Sequence, residues 1–137
     1  MTASSAKTGR VAGRAAAAAV LCLALGAGLG PARAADAAAG KALFDRTCTN
    51  CHSTQIGINK VGPSLFDVVG RPVASVQGYD YSPKLREMAK RWKVWDPAHL
   101  DTYLTNPRQV LHGVRMYFAV PDATDRANLI SYLGTLK

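Results

Sequence analysis

The sequence is poor in the features that would commit it to several common classes. Only 19% of its 137 residues are charged and only 7% are aromatic. Acidic side chains are scarce, 9 Asp/Glu against 17 Lys/Arg, so the formal net charge is +8. No apolar run reaches the length of about 20 residues that a membrane-spanning helix needs. The longest, Ala15 to Leu29, is too short and too rich in alanine. Arg10 and Arg14 are not adjacent, which leaves a twin-arginine signal without support. Cys22 lies inside the apolar run but lacks the leucine three places upstream that a lipoprotein signal would want, and it reads as a small hydrophobe.

What the N-terminal stretch does have is the layout of a cleavable secretory signal. Lys7, Arg10 and Arg14 form a positive region. The uncharged run follows, Gly30 and Pro31 break it, and Ala32-Arg33-Ala34 places small residues at the −3 and −1 positions. A retained anchor is the weaker alternative, given so well formed a cleavage site. The expected division is a signal peptide over 1–34, cleaved after Ala34, and one domain over 35–137, exported to the periplasm. Cleavage removes four basic residues and no acidic ones, which halves the net charge. The remainder is too mild for a nucleic-acid-binding face.

Cleavage also removes Cys22 and leaves Cys48 and Cys51, in Cys48-Thr49-Asn50-Cys51-His52. In an oxidising compartment so close a pair could form a disulfide or a redox dithiol. A zinc site would want a second cysteine pair, and His99 and His112 make no standard spacing with the first. The adjacent histidine points instead to attachment of a c-type haem. Two thiols three residues apart can each form a thioether to one edge of the macrocycle, and the neighbouring imidazole then lies under the iron. The iron needs a second ligand or an open position. Met88 sits in the charged helical stretch Leu85–Arg91 and reads as packing. Met116 sits between helices, where a loop can fold back over the face opposite His52. A thioether there favours reduced iron and suits electron transfer.

The remaining pattern is helical, with irregular loops and no convincing run of strands, so the expected class is all-α with about four helices. Ala37 to Thr49 forms the first. Ser82 caps a second running from Pro83 to about Arg91. Asp96 and Pro97 start a third, with Leu100, Tyr103 and Leu104 on one face, ending at Asn106-Pro107. Asp122 caps a fourth whose apolar stripe is Leu129, Ile130, Leu133 and Leu136. A chain of this size with long loops has a thin core of its own. A bound haem supplies the missing apolar mass, with residues 56–78 draped over it.

The order of these features resembles the class I cytochrome c family, from about Gly40 to Leu136. Gly40 and Phe44 match its first-helix pair, with Gly40 expected to admit Tyr132 or Leu129 close to its backbone. Val61-Gly62-Pro63-Ser64-Leu65 matches the loop whose proline flanks the proximal histidine. Gly70-Arg71 and Gly78-Tyr79-Asp80-Tyr81-Ser82 match the segments around the haem propionates. Trp95, Tyr103-Leu104-Thr105-Asn106-Pro107 and Arg126 to Leu133 match the stretches before and after the methionine loop. The resemblance implies a small cytochrome c fold wrapped around one covalent haem c with iron. It implies His52 and Met116 as ligands, and Arg71, Tyr79, Tyr81 and Trp95 as partners of the propionates. It makes Tyr103 the hydrogen-bond donor to the methionine sulfur. One departure matters: Val114 stands where the family usually has a threonine, and it cannot donate the hydroxyl bond that holds a propionate.

The function this implies is one-electron carriage by a monomer, not catalysis, because both axial positions are filled by protein. The expected partners are redox proteins such as a respiratory complex, a terminal oxidase or a periplasmic dehydrogenase. Docking at a membrane complex is transient, and no nucleic acid is involved. Lys41, Arg46, Lys60, Arg108 and Arg115 are candidates for a basic rim that steers acidic partners. A dedicated dehydrogenase subunit is a second reading. A small haem peroxidase or gas sensor is a third, and a filled sixth position argues against it.

Overall fold

The computed structural model describes residues 1–2 and 34–137. The chain divides into two units, Met1–Ala32 and Arg33–Lys137. The expected leader falls almost wholly outside the described residues.

Short polar residues begin each main helix by satisfying its free N–H groups. Asp36 accepts from Ala38 and Ala39 N–H and starts α1, Ala37–Thr47. The Ser82 hydroxyl accepts from Leu85 N–H ahead of α2, Pro83–Met88. Asp96 accepts from His99 N–H ahead of α3, Pro97–Thr105. Asn106 ends α3 and at once caps α4, Pro107–Val110. Asp122 accepts from Asp125 N–H and starts α5, Ala123–Leu133. That makes five helices among the described residues, one more than expected. The Asn106-Pro107 pair acts as a start as well as a stop, since proline suits the first helical position. Three helices are shorter than expected: α1 stops at Thr47, α2 at Met88 rather than Arg91, and α5 at Leu133, which leaves Leu136 of the expected stripe beyond the helix. No strand is formed among the described residues, only an isolated antiparallel bridge between Pro72 and Val94.

Helices α1 and α5 pack against each other and α3 packs on α5. A Cβ added at Gly40 would lie 1.9 Å from the carbonyl oxygen of Asn128. The group that Gly40 admits is therefore the α5 backbone at Asn128 and Leu129, whose nitrogen would lie 3.0 Å from that Cβ; no atom of Tyr132 is among the three nearest. The Asn128 side chain also accepts from Asp36 N–H at 2.7 Å. Around the crossing, Phe44 and Leu129 are almost fully buried, each contributing about 2 kcal/mol. Phe44 lies 5.4 Å from the Tyr132 ring centre.

Arg126 on α5 is buried and joins three segments. Its Nε donates to Asp101 of α3 at 2.7 Å, and Nη1 donates to the carbonyls of Val120 at 3.0 Å and Pro121 at 2.7 Å. Val120 N–H in turn donates to Leu104 at 2.8 Å. The chain leaving the Met116 loop is thereby fixed to the helical frame. Between α1 and α2 the backbone is irregular and anchored at separate points. Asp67 N–H donates to Leu136, Gly70 N–H to Trp95, and Trp95 N–H to Arg71. No described helix is long and apolar enough to cross a membrane.

Candidate cofactor site

The helices and the irregular segment enclose a cavity of about 580 Å³. Its size falls in the range of cofactor sites, as does its largely apolar wall. Cys48, Cys51 and His52 line it from the turn after α1, and Met116 lines it from the loop before α5. Neither thiol is in a disulfide. Cys48 is half-buried, and burial pushes its thiol above the ordinary range. Cys51 is exposed.

Two backbone features aim His52. Gly62 N–H donates to the Cys51 carbonyl at 2.7 Å, folding the following loop back onto the motif. The Pro63 carbonyl then sits 2.8 Å from His52 Nδ1. A carbonyl can only accept, so the proton is on Nδ1 and Nε2 keeps its lone pair for a metal. Gly62 lets the ring lie flat on the backbone, because a Cβ there would be 2.2 Å from His52 Cε1. Burial is the main reason that the imidazole sits below its ordinary pKa.

Every other residue expected at the site also lines this cavity: Pro63, Arg71, Tyr79, Tyr81, Trp95 and Tyr103. Their polar atoms are not equally free. Arg71 donates through Nη1 to the Phe66 carbonyl and through Nη2 to Ser64 at 2.9 Å. Its Nε is buried without a partner, a costly state for a cation unless an anion meets it. A cofactor carboxylate fits that need. Tyr81 accepts from Val76 N–H at 3.3 Å and keeps its own proton to donate. Tyr79 is committed elsewhere, donating to the Val61 carbonyl at 2.9 Å. Trp95 and Tyr103 are buried side by side, ring centres 5.1 Å apart. Burial raises the Tyr103 hydroxyl to about 12. Val114 is buried in the wall and offers no donor.

Met88 does not reach this cavity. It is buried beside a second groove of about 250 Å³, lined also by Lys84, Arg91 and His112. Of the five candidate rim residues, Lys41 and Arg115 are paired with carboxylates, whereas Arg46, Lys60 and Arg108 form no ion pair among the described residues. Lys41 pairs with Asp45 at 2.7 Å, and Lys60 Nζ donates to the Thr49 carbonyl at 2.7 Å. Arg115 pairs with Asp80 at 3.0 Å. The Arg108 guanidinium lies 4.8 Å from the Tyr117 ring centre. The exposed large side chains at the mouth are apolar or aromatic: Val61, Tyr117 and Phe118. Sequence reasoning gave Asp80 no role, although it holds two arginines from separate segments. Only the position of Asp80 between Tyr79 and Tyr81 signalled it.

An all-α frame closed around an apolar cavity, with Cys-x-x-Cys-His on its rim, defines a c-type cytochrome. The family comparison agrees: residues 37–137 match the Cytochrome c family, and the chain belongs to it. A cytochrome c2 from Rhodopila globiformis is 42% identical over 109 residues, 79% of this chain and 100% of that protein. The cytochrome c-type cyt cy of Rhodobacter capsulatus is 43% identical over 102 residues, 74% of this chain. The match spans 49% of that longer protein. Among solved structures, the ferricytochrome c2 from Rhodopseudomonas palustris aligns with a TM-score of 0.67 at 33% identity, covering 74% of this chain and 99% of that one. The cofactor is therefore a covalently bound haem c with iron, and the role is electron carriage.

Proposed function

We propose that the protein is an exported, periplasmic one-electron carrier whose haem is bound through Cys48 and Cys51 and ligated by His52 and Met116. The observation that carries this reading is the shared cavity. His52 and Met116 both line it, with the two thiols on the same wall, while Met88 belongs to a different groove. When bound, the haem supplies an iron that alternates between two oxidation states. The chain's own residues set its properties. The Pro63 carbonyl fixes the His52 tautomer. The apolar wall excludes water and disfavours added charge. Arg71 Nε and the Tyr81 hydroxyl supply donors for the propionates. Residues 1–34 act as a leader and are removed, and residues 35–137 work as a monomeric carrier rather than a catalyst. Partners are redox proteins that approach the cavity mouth beside Val61 and Phe118, in transient complexes.

The test is Met116→Ala beside Met88→Ala. The first is expected to abolish the sulfur-to-iron charge-transfer band of the ferric protein and to lower its potential. The second is expected to leave both unchanged. A band that survives Met116→Ala would reject the ligand assignment.

A further inference from the structure

The loop that carries Met116 runs from α4 to α5 without regular structure. Its exit is fixed by Arg126, as described. Its approach to the cavity needs another hold, because Val114 has no hydroxyl to offer. That hold is visible at Asp80. Arg115, next to Met116, donates through Nη1 to the Asp80 backbone carbonyl at 2.9 Å and through Nη2 to Asp80 Oδ2 at 3.0 Å. The other carboxylate oxygen, Oδ1, accepts from Arg86 Nη2 at 2.9 Å. Arg86 also donates through Nε to the Tyr81 carbonyl at 3.2 Å. One carboxylate thus faces two guanidiniums from two segments, and the Arg115 grip has two points.

The placement gives the clamp its meaning. Tyr79 and Tyr81, on either side of Asp80, form one wall of the cavity, and Val114, Arg115 and Met116 form another. The clamp spans the two walls at the surface. Its members are more than half exposed, so it adds little to global stability. A two-point guanidinium contact nevertheless fixes orientation, which a single point charge does not. Arg115 and then Arg86 hold the Asp80 carboxyl below the usual carboxylate range, consistent with a working ion pair.

The geometry points to Asp80 as a positioning residue for the Met116 loop, acting through Arg115 with Arg86 as its second support. This rests on Met116 being the axial ligand. It also reassigns Arg115, which belongs to the internal architecture of the loop rather than to a partner-binding rim.

The experiment compares the haem-loaded parent with Asp80→Asn, Arg115→Gln and Arg115→Lys. Amide hydrogen exchange over residues 112–118 is expected to speed up roughly two- to fivefold in Asp80→Asn and Arg115→Gln, the factor an exposed pair supplies. The charge-transfer band is expected to fade at a lower denaturant concentration, while the far-ultraviolet unfolding midpoint stays at the parent's value. Arg115→Lys is expected to restore part of the effect, since it keeps the charge and loses the fork. In the parent alone, high salt is expected to move the band midpoint toward that of the variants. Unchanged exchange over 112–118 in Asp80→Asn overturns the proposal. So does an equal fall of the band midpoint and the global midpoint, which would mark the clamp as part of the general frame. Met116→Ala separates the two readings. If the band survives there, the ligand assignment fails, and the exchange data still decide whether the clamp holds the loop.

Discussion

Replacing Arg126 by methionine tests how much of the frame depends on one buried cation. The side chain is 11% exposed and the Asp101 side chain 48% exposed. Arg126→Met keeps the length and apolar stem but removes one charge-assisted bond to a carboxylate and two bonds to carbonyls. Breaking a fully buried pair by removing one partner costs about 3–5 kcal/mol. Asp101 can rehydrate, so its share is discounted. The buried Val120 carbonyl cannot, and it bears the desolvation penalty of about 1–3 kcal/mol. The sum points to a loss of about 3 kcal/mol. For a domain of this size that lowers Tm by on the order of 15 °C. The assay is thermal unfolding of the haem-loaded protein by far-ultraviolet circular dichroism, with the charge-transfer band followed in parallel. Asp101→Asn keeps an acceptor oxygen in a half-exposed place and is expected to cost about 1 kcal/mol. A Tm drop for Arg126→Met no larger than that for Asp101→Asn would refute the reasoning, because the carbonyl contacts would then contribute nothing.

Two further outcomes follow from the site. Gly62→Ala places a methyl group where the His52 ring lies, at 2.2 Å from Cε1. The ring has to swing off the Pro63 carbonyl, so low yield of haem-loaded protein, or a high-spin ferric spectrum, is expected; a normal spectrum at normal yield would contradict the close approach. Tyr103 links stability to alkaline pH. Its hydroxyl lies at about 12 when folded, against an ordinary 10.0. The unfolded chain therefore loses this proton first, and the stability that Tyr103 contributes is full below pH 10 and lost as pH rises toward 12. The denaturant midpoint is expected to fall less steeply between pH 10 and 12 in Tyr103→Phe than in the parent, and identical slopes would remove the linkage.

How far the sequence told this story depended on range. Features set by neighbours were legible: the caps at Ser82, Asp96 and Asp122, and the spacing of Cys48, Cys51 and His52. Helix ends were less so. The stretch after Met88 is charged enough to read as helix, yet it turns there, with Ala89 and Trp92 packed against the core. Asn106-Pro107 carries the chemistry of both a stop and a start, and composition does not choose. The Gly40 contact was located in the right pair of helices and at Leu129, but the closest group, the Asn128 carbonyl, was missed, because periodicity says nothing of which carbonyl a glycine admits. The Asp80–Arg115 clamp joins two loops 35 positions apart, where no period applies. Only the fold brings such a pair together.

The Cys48–His52 motif follows α1 and Met116 precedes α5, and these two helices are packed together. With the proposed ligand set, loading the cofactor ties the chain into a ring. The ring closes a loop of roughly sixty residues, a constraint worth about 4 kcal/mol by analogy with a disulfide. Its two fastenings differ in kind. The thioethers are permanent, whereas the sulfur–iron bond is reversible. Ligation that favours reduced iron is, by reciprocity, held more firmly by reduced iron. With Met116 as the proposed ligand, the ring would be held more tightly in the reduced protein than in the oxidised one.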